Sequence, residues 1–219
     1  MFQAVLLDLD GTLLDTAPDL STAANAMLVD LAFAQLPEDT VRDFIGQGIE
    51  HLVQRCLESA GATAGLLPAA RERFVFHYER FNGSASRLYP GVGDGLAKMR
   101  RAGLKLACVT NKAARFTGPL LERTGLAPML DAVVTADQVG RRKPAPEVFL
   151  RACSVLGVAP AEALVIGDSE NDVLGARAAG CSVFLVPYGY REGRDVQSLD
   201  SDGIVASLLE AAEALVQTP

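Results

Sequence analysis

Five times along this chain a short, almost uninterrupted apolar run is followed by a stretch with helical spacing. The first run is Ala4-Val5-Leu6-Leu7, and comparable runs cover 104–109, 132–135, 163–166 and 182–186. Runs this short and apolar at successive positions predict strands buried on both faces, as in the middle of a parallel sheet. Helical patterns at 95–101, 116–123, 146–156, 172–179 and 205–216 supply the crossovers that parallel neighbours need. The expected core is α/β, a Rossmann-like parallel sheet covered by helices.

Between the first run and the second the alternation stops. Residues 15–88 carry helical patterns at 20–31, 41–45, 49–57 and 69–81 and no convincing strand. Breaks fall at Gln35-Leu36-Pro37, Gly46-Gln47-Gly48 and 61–68. This predicts a small all-helical domain, 15–88, inserted into a core made of 1–14 and 89–219. A chain of 219 residues, 49% of them hydrophobic, has the length and apolar mass for such an arrangement.

Charge narrows the partners. With 20 Lys+Arg against 27 Asp+Glu the net charge is −7, the wrong sign for binding a phosphate backbone, so nucleic acid is excluded as a bulk partner. A small anionic substrate remains compatible, because a metal or a few local cations can reverse the field in a cleft. No apolar run approaches the roughly 20 residues of a membrane helix, so no membrane partner is expected. Met1-Phe2-Gln3-Ala4 lacks the basic start of a signal peptide. Cys56, Cys108, Cys153 and Cys181 are scattered without metal spacing and read as thiols in a reducing compartment, giving a cytoplasmic expectation. Nothing in the sequence selects between a monomer and a homodimer.

Carboxylates end two of the apolar runs. Asp8 and Asp10 are two apart, so on extended backbone they point to one side, and Gly11 and Thr12 follow. Asp168 and Asp172, four apart at a helix start, share a face. The carboxyl edge of an open α/β sheet is where its ligand crevice lies. Clustered carboxylates repel, and a hard divalent cation with oxygen ligands resolves the repulsion; Mg²⁺ is the default. Two other run ends bring complementary groups: Thr110-Asn111 a hydroxyl and backbone N–H groups, Lys143 a compact charge. Singly, each is an ordinary turn, cap or surface residue; together in one chain they describe a functional site that suits an anion beside a metal.

These segments resemble the four motifs of the haloacid dehalogenase superfamily. Asp8-Leu9-Asp10-Gly11-Thr12 is similar to the first, Thr110-Asn111 to the second, Lys143-Pro144 to the third and Gly167-Asp168-Ser169-Glu170-Asn171-Asp172 to the fourth. The helical insertion is similar to the small cap of that superfamily. The resemblance implies that Asp8 is a nucleophile forming an aspartyl-phosphate and that Asp10 is the general acid and base. It implies Mg²⁺ held by Asp8, the carbonyl of Asp10 and Asp168, with Asp172 in support. It assigns phosphoryl binding to Thr110, Asn111 and Lys143, and the start of a cap hinge to Gly11 and Thr12.

Asp10 favours a phosphatase or phosphomutase, since dehalogenases of this superfamily lack it. The first lysine is Lys98, so the cap has none for the Schiff base of phosphonoacetaldehyde hydrolases. Asp15-Thr16-Ala17-Pro18-Asp19-Leu20, Tyr89-Pro90-Gly91-Val92, Val109-Thr110-Asn111-Lys112 and Pro187-Tyr188-Gly189-Tyr190 with Gly193 resemble bacterial phosphoglycolate phosphatases. Thr135-Ala136-Asp137 departs from that group, which has two glycines before the Asp. The implied reaction is 2-phosphoglycolate to glycolate and phosphate. Alternatives are a sugar-phosphate, nucleotide or pyrophosphate phosphatase, a phosphomutase like β-phosphoglucomutase, or a binding module that kept only the fold. The substrate carboxylate is expected to meet the cap at the backbone N–H groups of Gly46, Gln47 and Gly48, or at Arg42 or Arg55. Lys112 is expected to add field rather than contact, and Arg141 and Arg142 to face solvent.

Overall fold

A computed structural model of the protein describes residues 2–190 and 195–217; Gly193 lies outside them. Six strands form one parallel sheet: β1 (Ala4–Leu7), β4 (Lys105–Thr110), β5 (Ala132–Thr135), β6 (Ala163–Gly167), β7 (Ser182–Leu185) and β8 (Gly203–Ile204), ordered β5-β4-β1-β6-β7-β8. Two residues each from β2 (Leu14–Asp15) and β3 (Arg87–Leu88) pair antiparallel in a separate ribbon. The helices are α1 (Ala17–Asp30), α2 (Glu38–Arg42), α3 (Ile49–Ser59), α4 (Leu67–Phe81), α5 (Val92–Arg101), α6 (Ala114–Arg123), α7 (Ala136–Val139), α8 (Glu147–Leu156), α9 (Glu170–Ala179) and α10 (Leu208–Gln217).

The period of two along β1 explains the uninterrupted apolar run. Val5 and Leu7 enter one core with Leu96, Met99, Leu120 and Leu208, from α5, α6 and α10. Ala4 and Leu6 enter another with Val148, Phe149, Val173 and Ala176, from α8 and α9. All four β1 residues are fully buried, because helices cover both faces.

Helices α1 to α4 gather around a third core that includes Ala24, Met27, Val53, Phe74 and Tyr78. Phe116 of α6 and Tyr190 of the segment after β7 also enter it, and the rings of Tyr78 and Phe116 stand 4.9 Å apart. Asp19 of α1 holds the return segment: its carboxylate accepts from the backbone N–H groups of Gly83, Ala85 and Ser86 and from the Ser86 hydroxyl.

The short strands β2 and β3 flank the helical stretch and escape a reading of periodicity, since two residues carry no period. α7 also lay outside the expected elements. It begins where Thr135-Ala136-Asp137 departs from the glycine pattern: the Thr135 hydroxyl donates to Asp137 at 2.5 Å, and Gln138 completes a capping box. A threonine cap thus starts a helical turn at that position.

Candidate active site

The sheet order reverses direction at β1, which lies between β4 and β6. The carboxyl ends of these neighbours deliver Asp8, Thr110 and Asp168 to one crevice, the place where open α/β sheets leave room for a ligand. Asp8, Asp168 and Asp172 are all buried and offer carboxylate oxygens that lie within 4.8 Å of one another.

Lys143 enters this cluster from below. Its ammonium donates to Asp8 at 2.6 Å, to Asp172 at 2.7 Å and to the carbonyl of Val109 at 3.1 Å. Burial opposes its charge, but the Asp172 and Asp8 carboxylates hold its pKa above the usual lysine range. Asp172 is fixed on its other oxygen by the backbone N–H and hydroxyl of Ser169. Asp168 accepts from the Thr12 hydroxyl at 3.0 Å and from the backbone N–H of Tyr190 at 2.5 Å. A Cβ at Gly11 or Gly189 would occupy the space of the Asp168 carboxylate, and Gly11 also has φ of +94°. Gly11 and Thr12 thus help to seat Asp168.

One ammonium against three buried carboxylates leaves the cluster short of positive charge. Burial, reinforced by Asp172 and Asp10 and opposed by Lys143, pushes the Asp8 pKa up to about 7. Burial and then the charges of Asp8 and Asp172 push Asp168 well above the carboxylate range. A bound divalent cation would remove this penalty, and an all-oxygen donor set suits a hard ion, so the residues present fit a metal.

Asp10 points elsewhere. Its side chain accepts from the Thr16 hydroxyl at 2.7 Å and from the Lys112 ammonium at 2.8 Å. It lines two adjoining spaces. One is a tight pocket of about 20 Å³ bounded by Asp8, Thr110, Asn111, Lys143, Asp168 and Gly46. The other is a cavity of about 530 Å³ between the helical module and the sheet edge, lined among others by Lys112, Tyr78, Arg71 and Arg115. Asp10 thus stands at the junction, within reach of an atom bridging the two.

Several of the expected site residues have partners within the fold. The Asn111 side chain accepts from the Lys143 backbone N–H at 2.8 Å and donates to the Gly46 carbonyl at 3.0 Å. Its side-chain amide ties the Gly46 turn to the Lys143 loop. Arg141 and Arg142 are exposed, as expected, at the rim of the larger cavity, where Arg142 donates to the Gln47 carbonyl at 3.1 Å. The carbonyls of Gly46 and Gln47 thus tie the turn to Asn111 and Arg142. Arg42 is drawn away from the cavity by Asp15 and Glu38, each at 3.1 Å. Arg55 is exposed and lies over the Phe44 ring at 4.7 Å. Lys112 is a direct partner of Asp10 and is buried. Tyr190 also escaped notice as a site residue: its hydroxyl accepts from the N–H groups of Thr16 and Ala17 and donates to Asp15 at 2.6 Å.

The comparisons with known proteins agree with this geometry. The sequence profile described as haloacid dehalogenase-like hydrolase matches residues 5–186. A phosphoglycolate phosphatase of Nitrosospira multiformis is 49% identical over 97% of this chain and 95% of its own length. One of Thiobacillus denitrificans is 47% identical over 96% of this chain and 94% of its own. A crystal structure from Haemophilus somnus 129PT, described as a predicted phosphoglycolate phosphatase, superposes with a TM-score of 0.93 at 30% identity, covering 98% of both chains. With its parallel sheet, its carboxylate cluster at the β1 and β6 ends and these relatives, the chain belongs to the haloacid dehalogenase-like hydrolases.

Proposed function

We propose that this protein is a Mg²⁺-dependent phosphatase that hydrolyses 2-phosphoglycolate to glycolate and phosphate. The observation that carries the reading is the placement of Asp10 at the junction of the tight pocket and the larger cavity, two residues from Asp8. Relatives named phosphoglycolate phosphatase, up to 49% identical along nearly the whole chain, favour the substrate.

In this reading Asp8 attacks phosphorus, its carboxylate oxygen forming a P–O bond as the ester P–O bond breaks. Asp10 delivers its proton to the departing glycolate oxygen. Water then attacks the aspartyl-phosphate, Asp10 takes the water proton, and the Asp8–phosphorus bond breaks to release phosphate. Lys143 holds Asp8 in line, and its ammonium with the Thr110 hydroxyl offsets charge on the phosphoryl oxygens. Mg²⁺, when bound by Asp8, the Asp10 carbonyl and Asp168, would supply neutralisation of the phosphoryl charge.

Residues 1–14 and 89–219 act as the catalytic core and 15–88 as a cap joined through β2 and β3. The tight pocket has room for about one water by the same volume measure. The Gly46–Gly48 turn, tied to Asn111 and Arg142, closes over this pocket and helps to keep bulk water from Asp8. The enzyme is assigned to a reducing cytoplasm, in keeping with four cysteines that are all free and buried.

Steady-state kcat/KM over a panel of phosphate esters, with and without EDTA, tests the reading. 2-Phosphoglycolate should rank first, EDTA should stop turnover and Mg²⁺ should restore it. A sugar phosphate ranking well above it, or full activity in EDTA, would overturn the assignment. Stoichiometric phosphate release separates hydrolysis from a mutase.

A further inference from the structure

We propose that Lys112 and Tyr78 form the carboxylate-recognition pair of this enzyme, so that it selects phosphate esters whose alcohol carries a carboxylate next to the ester carbon. The inference rests on the phosphatase reading above and deepens it.

The first observation is a donor without an acceptor. Tyr78 of α4 is fully buried, lines the larger cavity, and its hydroxyl has no hydrogen-bond partner. A buried hydroxyl left unpaired carries a desolvation cost that native structures rarely tolerate without a ligand or water to complete it. The second is the charge beside it. The Lys112 ammonium lies 5.1 Å from the centre of the Tyr78 ring and, being itself only a donor, leaves the hydroxyl proton without an acceptor. An ammonium has three N–H donors, and Asp10 takes one. Lys112 and the Tyr78 hydroxyl therefore converge on the cavity from its two walls, one from the segment after β4 and one from α4.

Spacing decides what they would bind. The ester oxygen must lie within hydrogen-bond reach of Asp10 to receive its proton, about 2.6–3.2 Å. In 2-phosphoglycolate a single methylene separates that oxygen from the carboxyl carbon. A group already bonded to Asp10 is therefore placed to bond a carboxylate one methylene further on. Burial of both donors strengthens such a charge-assisted bond. The competing cations do not meet these conditions: Arg42 is paired with Asp15, and Arg71, Arg115 and Arg142 are exposed at the rim, where they steer anions rather than grip them.

The test compares 2-phosphoglycolate with 2-hydroxyethyl phosphate, which carries a neutral CH₂OH in place of the carboxylate. Wild type should favour the acid by about 100-fold or more in kcat/KM, as expected of a site built to pair a charged group. Lys112→Met should lower turnover of both esters, because Asp10 loses a partner, but should collapse the ratio to within about threefold, mainly through KM for the acid. Tyr78→Phe, which keeps the ring, should reduce the ratio about tenfold, and Lys112→Arg should restore part of it. A ratio unchanged in both Lys112→Met and Tyr78→Phe overturns the pair while leaving the phosphoglycolate reading intact. A wild-type ratio near one overturns both. Should Lys112→Met fail to fold, the near-isosteric Tyr78→Phe decides alone.

Discussion

The two spaces that meet at Asp10 are built on opposite principles. Around Asp8 nearly every polar atom is spoken for: Lys143 spans Asp8 and Asp172, Ser169 holds Asp172, and Thr12 and Tyr190 hold Asp168. The pocket they leave measures about 20 Å³, against about 530 Å³ for the cavity under the helices. That cavity has an unpaired buried hydroxyl and a rim of exposed arginines. A rigid, saturated site treats every phosphoryl group alike, whereas a roomy site with spare donors discriminates among the groups attached to it. Chemistry and selectivity are thus divided between the sheet edge and the space beneath the helices.

Replacing Asp8 by Asn is the largest way to probe that division. The expected outcome is a loss of about 10⁴-fold or more in kcat with every ester, because the proposed mechanism uses Asp8 as the nucleophile for all of them. Circular dichroism should report an unchanged fold. A loss confined to 2-phosphoglycolate would place Asp8 on the selective side and break the comparison.

The carboxylate cluster makes a pH-dependent prediction of intermediate size. A carboxyl whose pKa rises from 3.8 to about 7 on folding binds its proton more tightly when folded. In metal-free protein the Asp8 contribution to stability should therefore be fully present below about pH 4 and be lost as pH rises toward 7, flattening above it. Mg²⁺ should reverse this, raising Tm more at pH 8 than at pH 5, with about 2.7 kcal/mol gained at 100 times Kd. Differential scanning calorimetry checks both. A metal shift independent of pH would mean that the cluster carries no uncompensated charge.

The smallest effect is expected at the contact between the two regions. Arg142→Ala removes the hydrogen bond to the Gln47 carbonyl. It should raise KM a few-fold for all esters with little change in kcat, since an exposed contact of this kind is worth about 1 kcal/mol. Equal changes across esters would mark Arg142 as a fastener of the turn; a change limited to acids would move it into recognition.

Legibility in the sequence follows the range of the interaction involved. The buried strands were readable because both faces of β1 meet helices, so each of Ala4 to Leu7 is apolar. Asp8 and Asp168 were readable because each sits beside such a run, and Lys143 through the resemblance of Lys143-Pro144 to a family motif. Contacts across the module were not. Lys112 has the same local setting whether it faces solvent or Asp10, and Arg142 sits in a basic stretch like any exposed loop. Tyr78 follows the helical spacing of a core residue and packs as one; only its hydroxyl differs. Arg42 carried a plausible charge for a carboxylate, yet Asp15, 27 positions earlier, takes it.

The sequence by itself determined the sheet, its helical cover, the interruption by a helical stretch, and the residues brought to the carboxyl edge of the strands, because periodicity and strand ends are local properties. Only the tertiary structure decided that Asn111 is bound to Gly46, that Thr12 seats Asp168, and that Lys112 and Tyr78 converge beside Asp10. Those pairings join residues 34 to 156 positions apart or on different elements. They arise when distant segments pack together, within the sheet edge as at Thr12 and Asp168 or across to the helices as at Lys112 and Tyr78, and their remaining donors and acceptors must find partners.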